Sequence, residues 1–420
     1  MTGRTESHIH KNIMKIGLYV GSWPPGDIPN GIVIYASQLV PALRRLGHQV
    51  FVFTPHRTSG NDACTVDLRN FAHHATLWDR AMCRLLPDIG LFNVATSAIA
   101  TAVAESVQKH KIEVFEIEET FGFSFAISRL KLLPVVVRLH GPWFLNGRFY
   151  DLNEPATQNR RRQKWEGRGI QHAELVTAPT AEVLQLIKDH YGFSLPASRI
   201  IRNSLGTAGD KEMWSITTCS KNSLLFVGRF DRLKGGDLVL RVFAELAASY
   251  PELKLTFVGP DRGVVQADGK MSSFEQFVGN NFPAWLRPRI EFCGELKHLE
   301  VMALRRKHFA TIIASQREIM PYSLLEAMSL GCPLIATSVG GIPELIQDQR
   351  NGLLVPSQDV KAMIAACKKL LDDHTLAARL GQQAWQDCHR LYGPDNIATQ
   401  TISAYNQAID NFKRHMHANR

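Results

Sequence analysis

The sequence predicts an α/β protein made of two domains, each built around an open and mainly parallel sheet. Three observations lead to this fold class. The chain has 420 residues, a length that suits two domains of ordinary size. Short β-rich runs alternate with helical segments over nearly the whole length. Most of these runs are continuously apolar, which is typical of strands buried on both faces of a parallel sheet.

The β-rich runs fall into two groups. The first half contains KIGLYVGS (15–22), HQVFVFTP (48–55), IEVFEIEE (112–119), LPVVVRLHG (133–141) and ELVTAPT (174–180). The second half contains SLLFVGRF (223–230), LKLTFVG (253–259), RIEFCGE (289–295), FATIIAS (309–315) and CPLIATS (332–338). A polar stretch between them, residues 202–223, is predicted to be a linker. Ligands of such sheets bind at the carboxyl ends of the strands, so we expect a site in the cleft between two domains.

Composition limits the class of partner. Hydrophobic residues make up 45% and charged residues 21% of the chain, the balance of a soluble globular protein. The formal net charge of +9 favours an anionic partner, which is nucleic acid, a phosphorylated ligand or a membrane surface. Seven scattered cysteines without a C-x-x-C pair predict reduced thiols in a cytosolic protein, and neither a disulfide framework nor a metal cluster.

Two further segments bear on the cellular location. The N-terminus has no apolar core of the signal-peptide type. The most apolar long stretch, residues 85–106, is interrupted by Pro87, Asp88 and Asn93. We therefore predict a buried or amphipathic helix there, and not a segment that spans a membrane.

Two cations follow the first strand of the second half. In FVGRFDRLKGGD, Arg229 comes directly after the strand, and Lys234 follows five residues later, before two glycines. Two cations at one strand end, next to a helix start, suit the binding of an anion. Two solvated loop cations are the alternative, and this segment alone does not decide between them.

Two glutamates, Glu318 and Glu326, stand in the segment EIMPYSLLEAMSLGCP. Pro321 suits the first position of a helix, and Gly331 suits the position just past its end. Glu318 is then in the turn before the helix and Glu326 is in its second turn. Both carboxylates can line one elongated ligand and accept hydrogen bonds from its hydroxyl groups. They do not suit the acid–base pair of a hydrolase, whose carboxyls lie about 5 to 10 Å apart across one bond.

A second helix start is predicted after the last strand of the second half. In ATSVGGIPELI, two glycines allow close approach of the backbone, and Pro343 with Glu344 is expected to open a helix. Exposed N–H groups at this helix start would favour phosphate. Any βα unit has a helix N-terminus here, so the feature is also explained by the fold alone.

These segments together resemble the retaining glycosyltransferases of the GT-B fold, specifically family 4. Glu318 and Glu326 match the E-x7-E motif of that family, and VGRFDRLKGG matches its Gly-Arg and Lys-Gly segment. SVGGIPELI and NGLLVP (351–356) match the blocks that follow, in the same order. The similarity is dense from about residue 223 to residue 360. It implies two Rossmann-like, doubly wound parallel-sheet domains that face a cleft.

The similarity is weaker in the first half. The segment RLHG resembles the family's strand-ending histidine segment, and Asn203 in IRNSLG matches a linker asparagine. Where the family usually has two glycines after the first strand, this chain has Asn30 and Gly31. The implied domains are an acceptor-side domain over 1–205, a donor domain over 206–395 and a C-terminal helix over 396–420 that crosses back to the first domain.

The resemblance implies a role for each residue of the site. Arg229 and Lys234 would neutralise the donor diphosphate and the charge that develops on it as the sugar leaves. Glu326 would hold the ribose hydroxyls of the nucleotide, and Glu318 would hold the donor sugar or lie near its reacting face. His140 would contact a donor-sugar hydroxyl or the leaving phosphate.

Weaker assignments complete the implied site. Further donor contacts are implied for Gly228, Gly31, Asn203, Met320, Pro321, Tyr322 and Ser323. The family commonly has E-x-F-G where this chain has Met320 and Pro321, and a proline has no N–H to donate to a sugar hydroxyl. One such contact is therefore missing or moved. Glu118 and Glu119 end a first-domain strand and are weak candidates for contact with the acceptor.

The resemblance also implies the reaction. A nucleotide-diphosphate sugar of UDP or GDP type would give its sugar to a glycan, a lipid-linked saccharide or a small molecule, with retention of anomeric configuration and no metal or other cofactor. The sequence offers no Asp-x-Asp and no obvious nucleophile, so our hypothesis is a same-face displacement. A sugar-nucleotide epimerase of the same fold and a nucleic-acid-binding protein are the alternatives. A Rossmann dehydrogenase is disfavoured because no G-x-G-x-x-G follows the first strand, and no known nucleic-acid-binding module is evident.

Two basic and aromatic segments of the first half bear on the acceptor. NRRRQKW (159–165) and HHATLWDRAMCRLL (73–86) suit an anionic membrane surface or a lipid-phosphate acceptor. A solvated loop and a core helix explain them equally well. The location that we expect is the cytoplasm, with the inner face of the membrane as a possible site of peripheral binding.

Overall fold

The computed structural model describes residues 13–26, 30–58, 62–71, 76–150, 155–206, 213–266 and 269–418. Part of the loop before Asn30, the middle of the predicted linker and the first three residues of the segment 73–86 lie outside these ranges. Within them the chain forms two parallel sheets and one short antiparallel hairpin.

The first sheet has seven strands. They are β1 (Lys15–Tyr19), β2 (Gln49–Thr54), β3 (Thr65–Asp67), β4 (Val114–Glu118), β5 (Val135–Arg138), β6 (Leu175–Ala178) and β7 (Ser198–Ile200). Their order is β3-β2-β1-β4-β5-β6-β7, so the direction of winding reverses between β1 and β4. The helices of this half are α1 (Gly31–Arg45), α2 (Leu77–Leu85), α3 (Pro87–His110), α4 (Phe123–Ser128), α5 (Trp143–Tyr150), α6 (Ala156–Gln171) and α7 (Ala181–Tyr191).

The second sheet has six strands and lies in the second half of the chain. The strands of this half are β8 (Ser220–Val227), β9 (Lys254–Val258), β10 (Val264–Val265), β11 (Met271–Ser272), β12 (Ile290–Phe292), β13 (His308–Ile313), β14 (Leu334–Thr337) and β15 (Leu353–Val355). The sheet order is β12-β9-β8-β13-β14-β15, and β10 pairs with β11 in the separate hairpin. The helices are α8 (Gly236–Ser249), α9 (Phe274–Asn281), α10 (His298–Lys307), α11 (Tyr322–Leu330), α12 (Val360–Asp372), α13 (His374–Tyr392) and α14 (Pro394–Ala418).

The predicted fold class is confirmed, because both large sheets are parallel and carry helices. All ten predicted runs contain a strand, and β13 is buried at all six of its positions. The strands that the sequence did not predict are β3, β7, β15 and the two strands of the hairpin, and none of them exceeds three residues. Runs this short carry too few positions to show a β pattern.

Helix α11 places the two predicted glutamates as expected. It begins at Tyr322, one residue later than predicted, and Pro321 is its N-cap in an extended conformation. Gly331 ends the helix with a φ of 74°, in the left-handed region that glycine adopts without strain. Glu318 therefore lies in the preceding turn, and Glu326 lies within the helix.

The predicted helix at Pro343 is wrong. Residues Ile342–Glu344 form only a single 3-10 turn. The Glu344 carboxylate accepts hydrogen bonds from the backbone N–H groups of Ala181 and Glu182, at 3.1 and 3.2 Å. The same carboxylate pairs with Arg202 Nη1 at 2.7 Å. Glu344 thus caps a helix of the first half, a role that no local pattern around Pro343 could indicate.

Helix α14 follows the second sheet in sequence but packs on the first. The fully buried Tyr405 donates its hydroxyl to Glu116 Oε2 at 3.0 Å. Asp395 pairs with Arg45 of α1 at 2.6 Å. The last helix of the chain therefore ties the second half to the core of the first half.

Helix α3 contains most of the apolar stretch 85–106. By length and composition alone it is long and apolar enough to cross a membrane, and 39% of its most apolar window is buried in the fold. Phe92 is buried and stacks on Trp165 of α6 at a ring-centroid distance of 3.9 Å, while Leu91 is 47% exposed. The helix therefore presents one side to the core and another to the surface.

Candidate functional site

A cleft of about 460 Å³ lies between the carboxyl ends of the two sheets. It contains eleven of the fourteen residues that the sequence singled out. These are Gly31, His140, Gly228, Arg229, Lys234, Glu318, Met320, Pro321, Tyr322, Ser323 and Glu326. Loops after strands of both sheets line it, so the site needs both halves of the chain.

A tight turn after β8 places the two predicted cations. Asp231 Oδ2 accepts a hydrogen bond from Arg229 Nε, and Asp231 Oδ1 accepts one from the backbone N–H of Lys234, both at 2.7 Å. Gly235 follows with a φ of 74°, and a Cβ atom there would overlap the carbonyl oxygen of Ala314. The turn is therefore fixed from two sides, and α8 begins immediately after it.

Glu318 lies against one of these cations. Its Oε1 atom is 2.5 Å from Lys234 Nζ and accepts a second hydrogen bond from Ser315 Oγ at 2.7 Å. The Glu318 side chain is 9% exposed, whereas that of Lys234 is 28% exposed. Glu318, in the loop between β13 and α11, thus presents a carboxylate that is already paired. Lys234 is the more exposed partner of this pair.

The two glycines of ATSVGGIPELI support this loop from behind. Gly340 has a φ of 57°, and a Cβ atom at this position would overlap the carbonyl oxygen of Glu318. A Cβ atom at Gly341 would overlap the carbonyl oxygen of Ile319. The close backbone approach that the sequence predicted is an approach to the Glu318 loop of the protein itself.

Glu326 is held by two groups of α10. The side chain of Arg305, which is 0% exposed, lies 3.0 Å from Oε2, and His298 Nδ1 lies 3.4 Å from Oε1. Burial alone would raise the pKa of Glu326, but its contacts with His298 and Arg305 outweigh burial and lower it. The carboxylate is therefore ionised and can accept hydrogen bonds from hydroxyl groups in the cleft.

His140 faces these residues from the first sheet. Its ring lies edge-on to Tyr35 with a centroid distance of 4.9 Å. Burial, together with the charge of Arg138, lowers the pKa of His140 well below its ordinary value. The imidazole is therefore neutral at neutral pH and can accept a hydrogen bond through one ring nitrogen.

Two family models cover most of the chain. The model described as Glycosyltransferase Family 4 matches residues 29–206, and the model described as Glycosyl transferases group 1 matches residues 215–387. Together with the two facing sheets, these matches decide the family. The chain belongs to the glycosyltransferases of the GT-B fold.

Relatives agree with this family. A D-inositol 3-phosphate glycosyltransferase from a Nocardioides species is 27% identical over 190 residues, which cover 44% of this chain and 41% of that protein. The match thus spans about two fifths of the length of this curated relative. A solved sucrose-phosphate synthase from Thermosynechococcus elongatus has a TM-score of 0.69 at 20% identity, covering 94% of this chain and 98% of that one. Anabaena HepE in complex with UDP has a TM-score of 0.62 at 16% identity, covering 94% and 100%.

Glu119 lies behind the cleft, and it is not among the residues that line it. It is fully buried, and its carboxylate accepts hydrogen bonds from the backbone N–H groups of His140, at 3.0 Å, and Gly141, at 2.6 Å. Glu166 of α6, which the sequence analysis missed, accepts the backbone N–H of Trp143 at 3.0 Å. Two buried carboxyl groups therefore hold the loop that carries His140.

Glu118 is the second weak candidate, and it is not among the residues that line the cleft. Burial raises its pKa to about 8, and the neighbouring charge of Glu119 adds to the effect. Its Oε2 atom is buried without a hydrogen-bond partner. At neutral pH this carboxyl is therefore mostly protonated, which suits a buried group and not an ionic contact with an acceptor.

Asn203 connects the two halves of the chain behind the cleft wall. Its Oδ1 atom accepts a hydrogen bond from Arg138 Nη2 at 2.7 Å, and its Nδ2 group donates to the carbonyl oxygen of Met320 at 3.3 Å. Arg138 is 1% exposed and also donates to the carbonyl oxygen of Ile201 at 2.7 Å. Asn203 is thus placed to support the loop before α11 and does not line the cleft.

Besides Glu166, three more residues around the site were missed by the sequence analysis. Arg138, His298 and Arg305 each contact a residue of the site or its support. Arg138 had a local signal, since it is a charge inside the apolar run LPVVVRLHG. His298 and Arg305 lie in a polar helix, where nothing local distinguishes them from surface residues.

Proposed function

We propose that the protein transfers a sugar from a nucleotide-diphosphate sugar to a hydroxyl acceptor, with retention of configuration and without a metal ion. The observation that supports this proposal is the row of two cations and two carboxylates along one cleft: Arg229, Lys234, Glu318 and Glu326. A diphosphate suits the cations, and the hydroxyl groups of two sugars suit the carboxylates. HepE, which shares the fold, is described in complex with UDP.

Lys234 and Arg229 would act on the diphosphate. Lysine has three N–H donors, and Lys234 gives one of them to Glu318, so two remain for phosphate oxygens. Fixed cations in a cleft stabilise charge that develops on a leaving group, because they need no reorientation as the bond breaks. The Asp231 turn provides this fixed position.

The two glutamates would hold the two sugars of the donor. Glu326 would accept hydrogen bonds from the ribose hydroxyls, since it lines the cleft and its lowered pKa keeps it ionised. Glu318, in the turn before α11, would accept from the transferred sugar. Ile319, Met320 and Tyr322 line the same cleft and would donate backbone N–H groups to the sugar, whereas Pro321 has none to donate.

His140 would contact the transferred sugar from the opposite wall. A neutral imidazole accepts a hydrogen bond from a sugar hydroxyl without placing a positive charge beside the reacting carbon. The loop held by Glu119 sets the direction of the ring. We therefore propose that His140 orients the transferred sugar and lies near its reacting face.

We also propose the same-face displacement as the route to retention. The acceptor hydroxyl would attack the anomeric carbon from the side on which the diphosphate leaves, and a diphosphate oxygen would take the acceptor proton. Of the carboxylates that line the cleft, Glu318 and Glu326 are already paired with cations, which makes these two poor nucleophiles. Trapping of a covalent sugar adduct on a carboxylate of the first half would contradict this route.

A thermal-shift panel of UDP, GDP, ADP and their sugars tests the donor assignment. A nucleotide at 100 times its dissociation constant is expected to stabilise the protein by about 2.7 kcal/mol and to raise its melting temperature accordingly. The shift is expected to persist in EDTA and to be lost in Glu326→Gln, which keeps the shape of the side chain but not its charge. A full shift in Glu326→Gln would contradict the ribose assignment. Sugar isomerisation without any acceptor would indicate the epimerase instead.

For the acceptor, we propose that an anionic membrane surface presents a lipid-linked molecule to the first half. Helix α2 supports this, because Leu77, Trp78 and Leu85 are 82%, 73% and 75% exposed. Arg80 and Arg84 of the same helix are exposed beside them. Exposed apolar and basic side chains on one helix suit a membrane interface.

Vesicle sedimentation checks this membrane assignment. The wild-type protein is expected to sediment with vesicles that contain anionic lipid and not with neutral vesicles. Trp78→Ser combined with Arg84→Gln is expected to reduce the bound fraction several-fold, since one apolar anchor and one charge are lost. Equal sedimentation with neutral and anionic vesicles would contradict the assignment.

A further inference from the structure

Helix α10 presents two cationic side chains to a single carboxylate. His298, its first residue, and Arg305 are seven positions apart, which places them on the same side of a helix after two turns. Each contacts a different oxygen of Glu326: Arg305 lies 3.0 Å from Oε2 and His298 Nδ1 lies 3.4 Å from Oε1. Arg305 is fully buried, whereas the side chain of His298 is 45% exposed.

The two contacts have different physical consequences. Arg305 has a permanent charge and fixes one oxygen of Glu326 from the interior. That contact alone restrains the carboxylate at one oxygen, and limited rotation about the Cγ–Cδ bond can still displace Oε1. The second contact, from His298, removes this freedom, because it fixes the other oxygen as well. The orientation of the acceptor lone pairs that face the cleft therefore depends on His298.

The charge of His298 depends on its surroundings. A cation at the first residue of a helix is disfavoured by the helix dipole. Two charged groups face the imidazole: Glu326 from α11, which raises the pKa of His298, and Arg305 from its own helix, which lowers it. The contact with Glu326 prevails over burial and over Arg305, so the net shift of the pKa is upward.

We propose that His298 is a positioning residue of the donor site, which orients the Glu326 carboxylate so that it accepts hydrogen bonds from the ribose hydroxyls of a nucleoside diphosphate. This inference rests on the proposed function, because it takes Glu326 as the ribose acceptor. It adds that affinity for the nucleotide is coupled to the proton of His298. Arg305 cannot supply this coupling, since a guanidinium keeps its proton throughout the accessible pH range.

The direction of the coupling follows from the charge of the imidazole. Below the raised pKa of His298, the imidazolium holds Oε1 and the carboxylate is oriented. As pH rises through that pKa, the charge is lost and the contact weakens. Affinity for the nucleotide is therefore expected to be highest at the acid end of the range and to fall as the histidine is deprotonated.

Calorimetric titration of UDP, or of whichever nucleoside diphosphate gives the largest thermal shift, tests the inference. The wild type, His298→Ala and His298→Gln are compared from about pH 5.5 to about pH 8.5. The terminal phosphate of the nucleotide also titrates, with a pKa of about 6. The quantity to follow is therefore the ratio of the variant's Kd to the wild-type Kd at each pH. That ratio cancels the titration of the ligand.

For His298→Ala we expect a Kd ratio of about 5 at the acid end, because the loss of a partly exposed ion pair weakens binding by this factor. The ratio is expected to approach one at the alkaline end. His298→Gln keeps an N–H donor without the charge, so we expect a smaller loss that shrinks with pH in the same way. His172→Ala, at an exposed histidine beyond the cleft, is the matched control and should give a ratio of one throughout.

The two levels of the proposal fail in different ways. A wild-type protein that binds no nucleoside diphosphate would overturn the proposed function. Wild-type binding with a ratio for His298→Ala near one at the acid end, or with a constant ratio across the pH range, would overturn only the role of His298. Thermal melting of His298→Ala close to that of the wild type shows that the variant is folded, as we expect for a half-exposed side chain.

Discussion

Lys234→Ala is expected to lower kcat by about 10²- to 10³-fold, the loss seen when one fixed group that stabilises a developing negative charge is removed. Arg229 is directed by its contact with Asp231 Oδ2, so it does not take the position of Lys234. The KM for the donor should rise less than kcat falls, since the interaction with the leaving diphosphate strengthens as its charge develops. Initial rates at saturating donor measure the effect.

Two controls make this result specific. Lys188→Ala removes an exposed lysine on α7 away from the cleft and should leave kcat unchanged. Thermal melting of Lys234→Ala should show a folded protein, because Glu318 keeps its hydrogen bond from Ser315. A folded Lys234→Ala enzyme with a kcat within threefold of the wild-type value would show that the diphosphate is stabilised by other groups.

Glu326→Ala is expected to reduce the free energy of unfolding by about 3–5 kcal/mol. The reason is Arg305, which is 0% exposed and would be left as a buried charge without its ionic partner. Two nitrogens of its guanidinium, Nε and Nη1, already lack hydrogen-bond partners, so no other group compensates for the loss. Urea denaturation of both proteins measures the difference.

A double variant separates stability from binding at this position. Glu326→Leu with Arg305→Met replaces the buried pair by apolar side chains of similar size, which is often neutral for stability. We expect it to recover most of the unfolding free energy that Glu326→Ala loses, while nucleotide binding stays absent. If Glu326→Ala proves as stable as the wild type, Arg305 is not the buried partner that the 3.0 Å contact indicates.

The same pair predicts a loss of stability in acid. The folded-state pKa of Glu326 is lowered below its ordinary value, so the carboxylate contributes stability at higher pH. That contribution is lost as pH falls through the folded-state pKa, because protonation removes the partner of Arg305. Glu326→Gln loses the same charge, but it is the better variant for binding experiments than Glu326→Ala, because its amide oxygen can still accept a hydrogen bond from Arg305.

Local patterns were sufficient for the sheets and for the main elements of the cleft. Continuous apolar runs predicted the buried strands, and Pro321 with Gly331 predicted the limits of α11 to within one residue. The positions of Arg229, Lys234 and Glu318 followed, because residues directly after parallel strands collect at one edge of a sheet. Each of these inferences depends only on neighbours in sequence.

The sequence by itself therefore determined the α/β fold with its two parallel sheets and half of the residues that line the cleft, because strand patterns and helix limits are short-range properties. Only the tertiary structure decided which distant groups hold the loops and side chains of the cleft. Glu344 caps a helix at Ala181 instead of opening one, Glu119 supports the His140 loop, and Arg305 pairs with Glu326. Such contacts join residues that are far apart in the chain, and their energy depends on burial and distance, which exist only once the sheets have packed.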